Sequence, residues 1–88
     1  MSRGHGSRMR AVVDRLSADE EARRIGLPLS ALRPVLGPDK ANARRTARSL
    51  LRRGDAEWFE DEAGTRRLKL HWLVCVSAML RREPLGED

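Results

Sequence analysis

The sequence predicts a mainly α-helical fold with a small β-hairpin. Apolar residues recur at helical spacing over most of the chain, whereas between residues 55 and 70 two short segments of strand-like pattern flank a glycine-containing loop. With 40% hydrophobic and 35% charged residues in 88, the composition is that of a globular domain. We therefore expect one domain over residues 8–83, between a flexible basic arm (1–7) and a flexible tail (84–88).

The first quarter of the chain predicts two short helices. Ser7 is suited to cap the first, because apolar residues follow it at helical spacing: Met9, Val12, Val13 and Leu16. Residues 17–20, Ser-Ala-Asp-Glu, match a capping box, in which Ser17 and Glu20 satisfy each other's backbone N–H groups. This pattern predicts a break at Ser17 and a second helix that ends at Gly26.

Residues 27–29 are predicted to be extended, and Ser30 is then suited to cap a short helix that ends at Leu36. Gly37 and Pro38 predict a turn.

The longest helix is predicted from Lys40 to Arg53, with Asp39 as its N-cap and Gly54 at its end. Helical spacing divides its side chains between two faces. The inward face holds Ala43, Ala47, Leu50 and Leu51, and the outward face holds Ala41, Arg45, Arg48, Ser49 and Arg52, with Asn42 and Arg44 at its flanks.

The hairpin is predicted from strands over residues 56–61 and 65–70, joined by a loop that contains Gly64. Pairing Asp61 with Thr65 fixes the register. Four cross-strand pairs follow: Trp58 with Leu68, Ala56 with Leu70, Glu60 with Arg66, and Glu57 with Lys69.

Residues 71–82 fit either a strand extension or a final helix, because a short apolar run does not separate the two. We favour a helix that ends before Pro84, since the run is long for a strand. Four of its apolar side chains share a helical face and predict a homodimer interface: Trp72, Val76, Met79 and Leu80.

Charge is segregated along the chain. Lysine and arginine total 18 against 13 acids, giving a net charge of +5, and a GC-rich genome alone would favour arginine. Residues 39–53 nevertheless carry six bases and one acid, whereas residues 55–62 carry five acids and no base. This separation gives the protein a directed electrostatic field, and the positive charge on the long helix favours a polyanionic partner there.

The stretch from Leu27 to Leu70 resembles the winged helix-turn-helix superfamily of DNA-binding proteins. Leu32, Val35 and Leu36 match the first motif helix, residues 37–39 the turn, and Arg53-Gly54 the close of the second helix. Ala43, Ala47 and Leu50 match the inward positions of that second helix. The resemblance implies a winged helix-turn-helix with an extra C-terminal helix, and a helix 40–53 that enters the major groove.

The resemblance, together with the charge pattern, gives the candidate DNA-binding residues. They are Lys40, Asn42, Arg44, Arg45, Arg48, Arg52, Arg66 and Arg67. The hairpin departs from the basic wings common in this superfamily, because its first strand is acidic. Arg66 and Arg67 either reach phosphate or are held by neighbouring carboxylates, and a basic arm in the minor groove is an alternative contact.

We therefore expect a sequence-specific binder of double-stranded DNA, a transcriptional regulator of prokaryotic, plasmid or phage type. The alternatives are a winged-helix protein adaptor and a non-specific nucleoid-type or RNA-binding protein. No enzyme, cofactor or small-molecule ligand is expected, and His71 with Cys75 offers too few ligands for zinc. No membrane-spanning or secretory segment is expected. A single cysteine favours a reducing, cytoplasmic location, at the nucleoid for a DNA-binding protein.

Overall fold

A computed structural model describes residues 6–82. It confirms a mainly helical chain with one antiparallel hairpin. The elements are α1 (Ser7–Leu16), α2 (Glu20–Ile25), a 3-10 helix (Leu29–Leu32), α3 (Arg33–Leu36), α4 (Lys40–Arg53), β1 (Ala56–Glu60), β2 (Arg66–Leu70) and α5 (Trp72–Arg82). Apart from Gly6 and Ser7, the predicted arm and the predicted tail lie outside the described residues.

Serine caps neither of the first two helices. Gly6 is the N-cap of α1, without a side-chain hydrogen bond, and Ser7 is already helical. The Ser17 hydroxyl donates back to the carbonyls of Val13 and Asp14, at 2.9 and 3.1 Å. Because that hydroxyl is fully buried and used by α1, the predicted capping box is wrong.

The N-cap of α2 is Asp19 instead, whose Oδ1 accepts from the backbone N–H of Ala22 at 2.8 Å. The break after α1 and the end of α2 at Gly26 are both as predicted.

The single helix predicted after Ser30 is divided in two. The chain enters the 3-10 helix at Leu29, with Pro28 at the N-cap, and then continues as α3. Ser30 does not cap it. Pro34 lies at the start of α3, where the missing N–H would have no helical partner in any case.

The bounds of α4 are those predicted from the sequence. Asp39 Oδ1 accepts from the N–H groups of Ala41 and Asn42, at 2.9 and 3.4 Å, and Gly54 ends the helix in the left-handed conformation. The face that α4 turns to the core holds Thr46, Ala47 and Leu50.

The hairpin has the predicted register in all four pairs. Its strands are one residue shorter than predicted at the loop end. Asp61 and Thr65 still share a backbone hydrogen bond of 3.0 Å.

A pair of backbone hydrogen bonds joins the hairpin to the helices. Leu27 and Leu68 exchange N–H to carbonyl bonds of 3.0 and 2.7 Å, so that Leu27 adds to the outer edge of β2. The approach is close because the preceding residue is Gly26, with φ +80°. A Cβ at this position would overlap the carbonyl group of Leu68. The extended segment predicted at residues 27–29 therefore joins the hairpin through Leu27.

The last element is a helix, as favoured from the sequence. On α5, Cys75 and Ala78 are buried, and the helix packs against α1. At its start, the backbone N–H of Leu73 donates to Nδ1 of His71 at 3.1 Å. Over residues 6–82, no helix is long and apolar enough to cross a membrane.

We predict that Gly26→Ala destabilises the protein strongly. A positive φ alone costs a residue with a Cβ about 1–3 kcal/mol, and the overlap with Leu68 should add to that cost. Gly37→Ala is the matched control, because Gly37 has φ +84° with no atom within 4 Å of the added methyl. Urea unfolding followed by circular dichroism compares the two. Equal losses of stability would show that the close approach to Leu68 is unimportant.

Candidate nucleic-acid interface

The surface of α4 opposite its buried face is strongly basic. Packing Thr46, Ala47 and Leu50 into the core directs the other side chains of the helix outward. The exposed residues are Lys40, Ala41, Arg44, Arg45, Arg48, Arg52 and Arg53, and Asn42 is half-buried. All six residues predicted on this helix as DNA contacts therefore lie together, five of them exposed.

Four of these cations form what we call the α4 cation row: Lys40, Arg44, Arg48 and Arg52. They are four residues apart, so the row follows the helix for about 18 Å. None of them makes a side-chain hydrogen bond or ion pair with another described residue. Like charges at this spacing destabilise a helix by about 0.2–0.5 kcal/mol per pair. The row is therefore an unneutralised positive surface that the fold does not need.

The other cations at the two ends of α4 have partners. Arg45 donates to the side-chain oxygen of Asn42 at 3.0 Å, and both residues remain accessible at the start of the helix. Arg53 pairs with Asp55 at 3.0 Å. Because an amide does not neutralise a guanidinium, Arg45 adds its positive charge to that of the α4 cation row.

The fold adds one cation that the sequence patterns did not identify. Arg33, exposed on α3, lines a cavity of about 380 Å³ together with Lys40 and Arg44 of α4. Leu29 and Pro38 contribute apolar surface to the same cavity. Arg33 carries no signal in its own four-residue helix, because only the packing of α3 beside α4 brings it to the basic surface.

The two arginines of β2 have different environments. Arg66 is exposed and its guanidinium lies 4.3 Å from the ring centroid of Trp58, a cation–π contact that leaves its N–H groups accessible. Arg67 is largely buried. Its Nε donates to Asp61 at 2.7 Å and its terminal nitrogen donates to the carbonyl of Gly26 at 3.1 Å, with Glu21 at 3.8 Å. Arg67 thus attaches the hairpin to α2.

The acidic end of the hairpin is organised by Asp61. Its Oδ1 accepts from the N–H groups of Ala63 and Thr65, each at 2.9 Å. The hydrogen bond from Arg67, followed by that from Thr65, lowers the pKa of the Asp61 carboxyl below its ordinary value. Glu57, Glu60 and Glu62 are exposed nearby. The protein therefore presents a basic helix and an acidic hairpin as separate surfaces.

His71 and Cys75 do not lie in a larger group of potential metal ligands. Among residues 6–82, no three or more His, Cys, Asp or Glu side chains converge. His71 is exposed, whereas Cys75 is buried against the core.

Comparison with family models, curated proteins and solved structures finds no match to this chain. The resemblance to the winged helix-turn-helix superfamily therefore depends on the residues and on the order of the elements.

We predict that Asp61→Asn lowers stability at neutral pH and that this difference disappears in acid. Asparagine can still accept the two backbone hydrogen bonds through its oxygen, but its NH₂ group then faces the Nε–H of Arg67, so the variant removes both the charge and the hydrogen bond opposite Arg67. A carboxyl with a lowered folded pKa stabilises the protein above its unfolded value, near pH 4, and loses this effect as the pH falls through the folded value. Urea unfolding midpoints of the wild type and the variant at pH 7, 5 and 3 measure this difference in stability.

The control for this substitution is Glu62→Gln, which removes an exposed negative charge from the same loop and should change the midpoint little. If the stability difference between the wild type and Asp61→Asn stayed constant down to pH 3, the charge of Asp61 would not be the source of the stabilisation.

Proposed function

We propose that this protein binds double-stranded DNA as a winged helix-turn-helix, with α4 in the major groove. The observation that carries the proposal is the α4 cation row, which has no acid to neutralise it among the described residues. The order of α3, turn, α4 and hairpin supports it, because this is the order of the helix-turn-helix and its wing.

Affinity would come mainly from phosphate neutralisation. A row of cations about 18 Å long can meet about two or three phosphates of one strand, and Arg33 lies beside it at the start of α4. Each phosphate neutralised releases counterions, so the affinity falls steeply with salt. The guanidinium groups suit this role, because each can donate two hydrogen bonds to one phosphate.

Sequence would be read near the start of α4. Asn42 and Arg45 lie there, are joined by a hydrogen bond, and are accessible. Asparagine pairs in bidentate fashion with adenine and arginine with guanine in the major groove. Releasing the contact between the two side chains would free both for base edges.

The hairpin would contribute little to DNA binding. Glu57, Glu60 and Glu62 repel phosphate, and Arg67 is committed to Asp61 and the Gly26 carbonyl. Arg66 is the hairpin arginine that remains exposed. We therefore propose that the hairpin mainly supports α4. Of its two predicted DNA contacts, Arg66 and Arg67, we retain Arg66.

We also propose that the protein acts as a homodimer through α5. A single module of this size offers few base contacts, and two copies on two half-sites supply the specificity that a transcriptional regulator requires. A regulator of prokaryotic, plasmid or phage type would act in the cytoplasm, at the nucleoid.

Fluorescence anisotropy with a labelled mixed-sequence duplex tests the proposal. We expect binding at 50 mM salt that weakens by at least about tenfold at 200 mM, since two or three neutralised phosphates give a salt slope of about −2 to −3. Arg45→Ala/Arg48→Ala should reduce affinity at low salt by about tenfold or more and decrease the salt slope. The double variant retains the buried face of α4, so its fold should be unchanged by circular dichroism.

The matched control is Arg24→Ala/Lys69→Ala. It removes the same charge near the hairpin acids: Arg24 of α2 lines a groove with Glu60, and Lys69 of β2 lies opposite Glu57. If this control loses as much affinity as the α4 variant, binding is not localised on α4. Absence of wild-type binding at low salt would favour the protein adaptor instead.

A further inference from the structure

The outer face of α5 is an exposed apolar surface. Its large side chains are 66% exposed at Trp72, 55% at Leu73, 44% at Val76 and 56% at Leu80. These are the exposed large hydrophobic side chains of residues 6–82, and all four are on this helix. We call them the α5 apolar face. Such a cluster on a small, highly charged protein indicates an interaction surface.

The α5 apolar face is not needed to attach the helix to its own domain. Cys75 and Ala78 are buried on the opposite side, and Val74 and Met79 pack partly against the core. Met79, predicted from the sequence to share the dimer interface, is therefore only at its edge. Leu73, which was not predicted there, belongs to the exposed set.

The charge pattern is compatible with a second copy as the occupant. Each copy carries a net charge of +5, so most approaches between two copies bring like charges together. Residues 72–80 contain no charged side chain, and two copies can meet there without that repulsion. The four side chains expose on the order of 400 Å² per copy, about half of what one partner contributes to a standard interface, and the surrounding rim can supply the rest.

The spacing of the face fits an antiparallel pair. Trp72 and Leu80 lie one turn to either side of Val76, so the larger side chains flank a smaller one. Antiparallel pairing about Val76 matches Trp72 with Leu80 of the second copy at both ends, giving an interface of even thickness. Parallel pairing would place tryptophan on tryptophan at one end and leucine on leucine at the other.

The dipoles of the two α5 helices favour the same direction, because antiparallel pairing places the positive end of each helix beside the negative end of the other.

We infer that two copies associate through α5 in an antiparallel pair, with Val76 at the two-fold axis. This inference rests on the proposed homodimer and specifies its interface. The occupant of the α5 apolar face is thus the same face of a second copy.

Disulfide trapping of single cysteines tests the pairing. Each variant is made with Cys75→Ala, which removes the native thiol, and oxidised glutathione is the oxidant. Val76→Cys should form covalent dimers with itself, because its two copies meet at the axis. Trp72→Cys alone and Leu80→Cys alone should not, since like positions are separated by about 12 Å along the helix, beyond the reach of a disulfide. A mixture of the two should form mixed dimers.

Sedimentation of the wild type and of each reduced variant accompanies the trapping. Val76→Cys changes side-chain volume little, so it tests the axis even if the larger substitutions weaken association. Self-linking of Trp72→Cys with no mixed product would establish a parallel pair and overturn the inference. A wild-type dimer without Val76→Cys linking would also overturn this pairing, although the homodimer itself would stand. A monomeric wild type would overturn both, independently of the DNA-binding result.

Discussion

The backbone bridge between Leu27 and Leu68 is the constraint on which the arrangement depends. It attaches a two-stranded hairpin, which is marginal in isolation, to the chain that links α2 and the 3-10 helix. Leu68 itself is 1% exposed, so the same residue contributes backbone to the bridge and side chain to the core. Gly26 permits the approach, and Arg67 reinforces it through the Gly26 carbonyl. With the hairpin fixed, β1 packs against α4 and holds it beside α1.

Fixing α4 in this way places its buried, stabilising side chains and its proposed binding surface on opposite sides of one helix. Thr46, Ala47 and Leu50 fill the core, whereas the α4 cation row adds repulsion that the core must offset. The phosphates of a nucleic-acid partner would remove this repulsion between cations. The free energy released in this way would contribute to the affinity of the complex. The acids of the hairpin do not relieve it, because among the described residues none of them forms an ion pair with the α4 cation row.

Sequence reasoning succeeded where the determining signals are local. Asp39 and Gly54 define α4, and the short loop around Gly64 sets the hairpin register. The prediction at Ser17 was wrong because its hydroxyl can bond to either of two neighbouring helices. It donates back to a carbonyl of α1 and does not cap α2. Arg33 and Leu73 were missed because their positions depend on how helices pack, which spacing along one helix does not report. For the same reason, the sequence does not show which role Arg67 has, because its partner Gly26 lies 41 residues away.

DNA binding by α4 is tested most directly by titrating ¹⁵N-labelled protein with a short duplex and following the amide chemical shifts. We predict the largest changes at the start and along the exposed side of α4, from Lys40 to Arg52, with further changes at Arg33. The hairpin loop at residues 61–65 should change little. If the largest changes were in that acidic loop and α4 were unaffected, α4 would not be the DNA-binding surface.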